Sequence, residues 1–184
     1  MHIPTKESVV EMSAIDFEKF CVYTLKQQTQ GLENVEFEHN VIVKKSDGNY
    51  QIDGIIRFEV MGIKYTTLIE CKHYKNSISR EKVQVLYDKI RQTGANKGIL
   101  ISTSNFQSGA IQYASEHGIA LIQITDDKMD FVVRDRLNVY RNHSIFYDNS
   151  LPFIGIMLQN TPHGISCQYL KNGNTPLKDY LCDV

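Results

Sequence analysis

The chain has 184 residues, with 20 Lys and Arg against 21 Asp and Glu for a formal net charge of −1, and 42% of its residues are hydrophobic. That supplies one buried core and a single domain with at most a small extension, and it excludes a global basic field, so any nucleic-acid binding must rest on a local patch. No membrane-length apolar run, signal-peptide pattern or repeat occurs, and Cys21, Cys71, Cys167 and Cys182 lack metal-site spacing, so reduced thiols and a cytoplasmic location are expected.

In chain order, "SAIDFEKFCVYTLKQQTQG" predicts a helix capped by Ser13, with Asp16 three residues on and Gly31 as its stop. Phe17, Phe20, Cys21 and Leu25 form its apolar stripe, and Glu18 shares a face with Cys21, Val22 and Leu25 at the edge of the buried side. A strand "VEFEHNVIVKK" and a polar turn "SDGN" lead into "QIDGIIRFEVMGIKYTTLIECKHYK", whose alternating β-branched and aromatic residues around Met61-Gly62 predict a hairpin. "ISREKVQVLYDKIRQTG" predicts a helix capped at Ser79, with Val83, Leu86 and Ile90 inward and Gly94 as the stop. "KGILIST" is a short buried strand, "NFQSGAIQYASEHG" a helix ended by Gly118, and "IALIQIT" another strand. This order predicts an α/β fold: a mixed central sheet, parallel after the hairpin, with helices on both faces. Residues 1–125 form the core in this reading, and residues 126–184 a β-rich C-terminal extension packed on the core or at a dimer interface. "SLPFIGIMLQ" and "GISCQYL" could form a late hairpin there, and Asp126 and Asp127 read as a turn.

The hairpin carries an anomaly. With Met61 and Gly62 as a two-residue loop, Val60 pairs with Ile63 and Asp53 falls opposite Glu70, or diagonal to it if a bulge intervenes. Two carboxylates so placed repel and raise each other's pKa unless a cation sits between them. Period two puts Lys72 on the face of Glu70. Such a cluster is either a metal-dependent hydrolytic site or an ordinary surface pair bridged by lysine. Asp53 and Glu70 offer hard oxygen ligands suited to Mg²⁺, and Lys72 can orient a water or stabilise a charged transition state. Gln84, on the following helix, is a further candidate for positioning water or phosphate.

The segment "KHYKNSISREK" brings Lys75, Arg80 and Lys82 beside the acids with Tyr74 interleaved, a solvated loop or a set of phosphate contacts. Ser104 and Asn105, following Ser102 and Thr103, end a strand and open a helix, where hydroxyls and free N–H groups can hold a phosphate or simply cap the helix. The histidines are scattered and take no metal role.

Asp53, then Glu70 and Lys72, in a helix-strand-hairpin-helix-strand-helix-strand order, resemble the PD-(D/E)xK nuclease superfamily with its αβββαβ core. More narrowly, "FEKF", "QIDGIIRF", "IECKHYK", the helix near "SREKVQVL" and "ANKGILISTSNFQSGAIQYASEHGIALI" resemble the Mrr-type restriction endonuclease catalytic domain, from about Met12 to Ile124. Mrr-type domains often carry Gln where this chain has Glu70. The resemblance implies a restriction-endonuclease-like fold and a metal-dependent DNA endonuclease active against foreign DNA. It implies Mg²⁺ or substituting Mn²⁺ held by Asp53, Glu70, the Cys71 carbonyl and Glu18, and a homodimer on double-stranded DNA with no membrane role. A Holliday-junction resolvase-like nuclease and a non-catalytic DNA-binding or assembly module of the same fold remain as alternatives.

Overall fold

The computed structural model describes residues 8–29, 32–126, 153–161, 164–170 and 180–182. A short 3₁₀ turn, Val9–Glu11, precedes helix α1, Ala14–Gln28. The helix starts where predicted, because the Ser13 hydroxyl accepts the Asp16 N–H at 3.1 Å and satisfies a donor that the first turn leaves free. Gly31, its predicted stop, lies outside the described residues.

Strands β1 (Glu33–Lys45), β2 (Gly48–Val60) and β3 (Ile63–Lys72) form an antiparallel meander. Met61 and Gly62 both have positive φ, 53° and 77°, as a two-residue hairpin loop requires, and Val60 pairs with Ile63 as the alternation predicts. Helix α2 (Arg80–Thr93) follows and stops at Gly94, whose left-handed φ of 75° lets its N–H return to the Ile90 carbonyl. Then come β4 (Lys97–Ser102), α3 (Ser108–Glu116), β5 (Ile119–Asp126), β6 (Phe153–Thr161) and β7 (Gly164–Leu170). Among the described residues the sheet has seven strands in sequential order; β3, β4 and β5 are mutually parallel, and the β6–β7 hairpin adds antiparallel to β5.

Two apolar layers flank this sheet. Phe17, Cys21 and Leu25 of α1 pack on Ile69, Ile99 and Ile122, whereas Val83 and Leu86 of α2, with Ala110 and Ala114 of α3, cover Leu68, Leu100 and Leu121 on the other face. The fold is the expected restriction-endonuclease-like α/β architecture.

Two boundaries differ from expectation. The third helix opens at Ser108 rather than at Asn105, because residues on either side of Phe106 are held by Ile78: the Ile78 N–H donates to the Asn105 carbonyl and the Gln107 N–H donates to the Ile78 carbonyl. The segment stays extended until those bonds are behind it. Asp126 does not lie in a turn; it ends β5, paired with Phe153. Asp127 lies outside the described residues.

The β1–β2 ribbon also changes face along its length. Phe37 of β1 and Ile56 and Phe58 of β2 pack in the α1 layer, whereas Val41, Val43 and Ile52 pack in the α2–α3 layer. Residues an even number apart on a strand should share a face, so the alternation breaks between Ile52 and Ile56. The break lies between the pairs His39–Gly54 and Val41–Ile52, at the level of Asn40, with a positive φ of 53°, and Asp53. The Gln51 amide braces it by donating to the Asn40 side-chain oxygen at 3.1 Å.

Candidate active site

Asp53 sits at this break, and the geometry follows from it. The β2–β3 pairing ends at Gly54–Ile69, one step short of the expected Asp53–Glu70 pair. The Asp53 carboxylate instead turns toward the neighbouring strand and accepts the Cys71 N–H at 2.7 Å, standing in for the backbone acceptor that the ladder no longer supplies. Gly54 allows the close approach behind it: a Cβ there would lie 3.2 Å from both Val22 of α1 and Ile69 of β3.

On β3, Leu68 faces the α2–α3 layer and Ile69 and Cys71 face the α1 layer, so period two turns Glu70 and Lys72 toward α2. Glu70 is only 5% exposed. A buried carboxylate is tolerated when it is paired, and Glu70 is paired twice: the Lys72 ammonium donates to Oε1 at 2.5 Å and the Lys89 ammonium of α2 donates to Oε2 at 2.7 Å. Lys89 also donates to the Gln51 carbonyl at 2.8 Å, beside the face switch.

The electrostatics separate the two acids. Burial, and then the Glu70 charge, raise the Asp53 pKa above its ordinary value, while the Cys71 N–H and the Lys72 charge pull against that rise. Glu18 raises it further, which places the α1 carboxylate within electrostatic reach of Asp53. Burial pulls the Lys72 pKa down, but the Glu70 charge, its hydrogen bond and Asp53 outweigh burial, so the net shift is upward and Lys72 is a firm ammonium. The Cys71 thiol points into the α1 layer, where its hydrogen bond with Cys21 and its burial push it well above the ordinary thiol range. Cys71 can therefore offer the site its backbone and not a thiolate.

Of the residues singled out in the sequence, Asp53, Glu70, Lys72 and the Cys71 backbone are brought together; Glu18 acts on Asp53 through its charge, and its carboxylate lies 3.3 Å from the His39 ring nitrogen. Gln84 sits exposed on α2. Lys75 and Arg80 are exposed and Lys82 half-buried; the Arg80 guanidinium lies 4.9 Å from the Tyr113 ring centroid, and Lys82 is 3.8 Å from Glu81. Ser104 is buried, donating to the Asn76 carbonyl at 2.8 Å, and the exposed Asn105 accepts the Gln123 amide at 2.8 Å. Both therefore brace the loops after β3 and β4 from the sequence positions expected to open a helix. Lys89 and His39 were not singled out. Lys89 had a signal, since it lies three residues after Leu86 and beside Ile90, at the edge of the buried stripe, as Glu18 does on α1. Nothing in the local pattern marked His39.

Among the described residues, no three His, Cys, Asp or Glu side chains group as a metal cage, and no helix is long and apolar enough to cross a membrane. Residues 9–126 match the family model described as a restriction endonuclease, the Mrr catalytic domain. The type IV methyl-directed restriction enzyme EcoKMrr of Escherichia coli (strain K12) is 30% identical over 76 residues, which cover 41% of this chain and 25% of that protein. The match thus spans a quarter of that relative's length. Among solved structures, the protein of unknown function AF1548 aligns with a TM-score of 0.49 at 20% identity over 59% of this chain and 57% of its own. The DNA modification-dependent restriction endonuclease AspBHI aligns with a TM-score of 0.45 at 19% identity over 61% of this chain and 30% of its own. With the family match covering well over half of its length, the chain belongs to the Mrr-type restriction endonuclease catalytic-domain family.

Proposed function

We propose that this chain hydrolyses phosphodiester bonds in double-stranded DNA with the help of a divalent cation, as the catalytic part of a cytoplasmic restriction system directed at foreign DNA. The observation that carries the reading is the convergence of Asp53, Glu70 and Lys72 at the one place where the β2–β3 ladder opens.

The donor set fits a hard cation. Asp53 and Glu70 contribute carboxylates, and the Asp53 acid is left under-neutralised, held up by burial and by Glu70. In an extended strand the N–H and C=O of one residue point to the same neighbour, so the Cys71 carbonyl faces the side on which its N–H meets Asp53. Two carboxylates, a carbonyl and water suit Mg²⁺, which keeps several waters and is bound through one or two carboxylates; Mn²⁺ can substitute. Asp53, Glu70 and the Cys71 carbonyl would hold the ion, with Glu18 in reach of it or its water. When bound, it supplies charge neutralisation at the phosphate and activation of the attacking water.

The chain's own residues do the rest. Lys72, kept protonated by Glu70 and Asp53, presents a positive charge where negative charge develops on the phosphate, and can donate a proton but not accept one. Lys75, on the loop after β3, and Arg80 and Lys82, in the first turn of α2, would hold the DNA backbone. Gln84, one turn along α2, would position phosphate or water once DNA covers that face. Cutting both strands needs two such sites, hence a homodimer.

Nicking of supercoiled plasmid, with and without Mg²⁺, tests the reading. Lys72→Ala should lower cleavage by about two orders of magnitude or more while DNA binding in Ca²⁺ survives. Cleavage near the wild-type rate in that variant would remove Lys72 from the chemistry. Preference for four-way junctions over linear duplex would move the substrate to branched DNA, and absence of cleavage with every divalent ion would leave a DNA-binding module.

A further inference from the structure

Lys89 is the residue of α2 that enters the cluster, and neither the sequence motif nor the proposed chemistry uses it. Its side chain is 15% exposed, and its ammonium is fixed by two acceptors, the Gln51 carbonyl and Glu70 Oε2. Lys72 holds Oε1 of the same carboxylate. Both oxygens that Glu70 could offer a cation are therefore already on ammonium groups. Lys72 cannot withdraw far, since it shares β3 with Glu70 two residues away. Lys89 comes from another layer on a long flexible stem and can.

We propose that Lys89 is a resident competitor for the divalent ion at Glu70, a positioning residue that keeps the carboxylate ordered in the metal-free protein and sets how much metal is needed to displace it. The inference rests on the metal-site reading given above. A divalent ion entering beside Glu70 must take Oε2 from Lys89 and then sit a few ångströms from that ammonium; like charges at such spacing in a half-buried site oppose each other by more than a tenfold factor in affinity. The same contact, with that of Lys72, holds this buried carboxylate in place with no metal present.

The test is metal titration by calorimetry, with Mn²⁺ and Mg²⁺ separately, on the wild type, Lys89→Met and Lys89→Gln, the latter retaining a donor for the Gln51 carbonyl. Lys89→Arg serves as the charge-retaining control and Asp53→Ala as the control without a site. Both neutral variants should bind metal at least tenfold more tightly than the wild type, Lys89→Arg should return to near the wild-type value, and Asp53→Ala should lose binding. Circular dichroism and the agreement of the two neutral variants exclude a folding artefact. Equal or weaker metal binding in folded Lys89→Gln, beside normal binding in the wild type, would overturn the role of Lys89 and leave the metal site standing. Absence of binding in the wild type and in both neutral variants would overturn the metal site and this inference with it.

Discussion

The two acids of the site should respond to neutralisation in opposite directions in the metal-free protein. Glu70→Gln keeps the shape of the side chain, but an NH₂ takes the place of one of the two oxygens that hold Lys72 and Lys89, and so faces an ammonium group. Removing one member of a buried ion pair costs about 3–5 kcal/mol. The two lysines are 17% and 15% exposed, and their stems let the ammonium groups reach toward water, so roughly 2–3 kcal/mol is the better expectation here. For a chain of this size that corresponds to a fall in Tm of about 4–12 °C. Asp53→Asn has the opposite sign: the amide oxygen can still accept the Cys71 N–H, while the charge that burial and Glu70 disfavour disappears, so Tm should hold or rise. Thermal and urea unfolding in EDTA at pH 7 and low salt measure both. Equal shifts of the same sign in the two variants, or a Glu70→Gln protein as stable as the wild type, would refute the double-lysine account of Glu70.

A raised acid pKa means that the folded state binds a proton more tightly than the unfolded chain, so Asp53 contributes stability that is present below its ordinary value of 3.8 and lost as pH rises through its higher folded value. Urea midpoints across that acid range should show this component in the wild type and lack it in Asp53→Asn. The Thr67 hydroxyl is buried without a hydrogen-bond partner, so Thr67→Val should stabilise the protein by about 1 kcal/mol, read as a higher urea midpoint at unchanged slope. Combined replacement of Lys75, Arg80 and Lys82 by Ala should weaken duplex binding and flatten its log-log salt dependence by about 0.9 for each phosphate no longer neutralised, and an unchanged slope would return the loop to solvent.

The regular part of the fold was legible because local chemistry decides it. Ser13 and Gly94 end their helices for reasons visible in the sequence, and the Met61-Gly62 loop set the register that brought Asp53 within one step of Glu70. Period two likewise put Glu70 and Lys72 on one face. The departures came from distant partners. Counting from the turn assumes unbroken alternation, and the switch at Asn40 and Asp53 breaks it, so that Asp53 turns within the sheet plane instead of facing Glu70 squarely. Ile78 holds Asn105 and Gln107 extended across a separation that a helix pattern cannot register. Lys89 needed knowledge of which strand residue lay beneath its turn of α2, which only the packed layers supply. The two acids therefore looked alike in the sequence, although their surroundings make one a hub of positive partners and the other an under-compensated charge.

The face switch also ties the molecule together mechanically. A ribbon anchored in the α1 layer at Ile56 and Phe58 and in the α2–α3 layer at Val41 and Ile52 cannot detach from one layer without straining its hold on the other. The two cores should therefore open as a single cooperative unit, with Asp53 at the crossing point. The Cys71 amide, capped by that carboxylate, is the natural reporter: its hydrogen exchange should occur only through global unfolding, and the slowest-exchanging amides of α1 and α2 should share its free energy of opening.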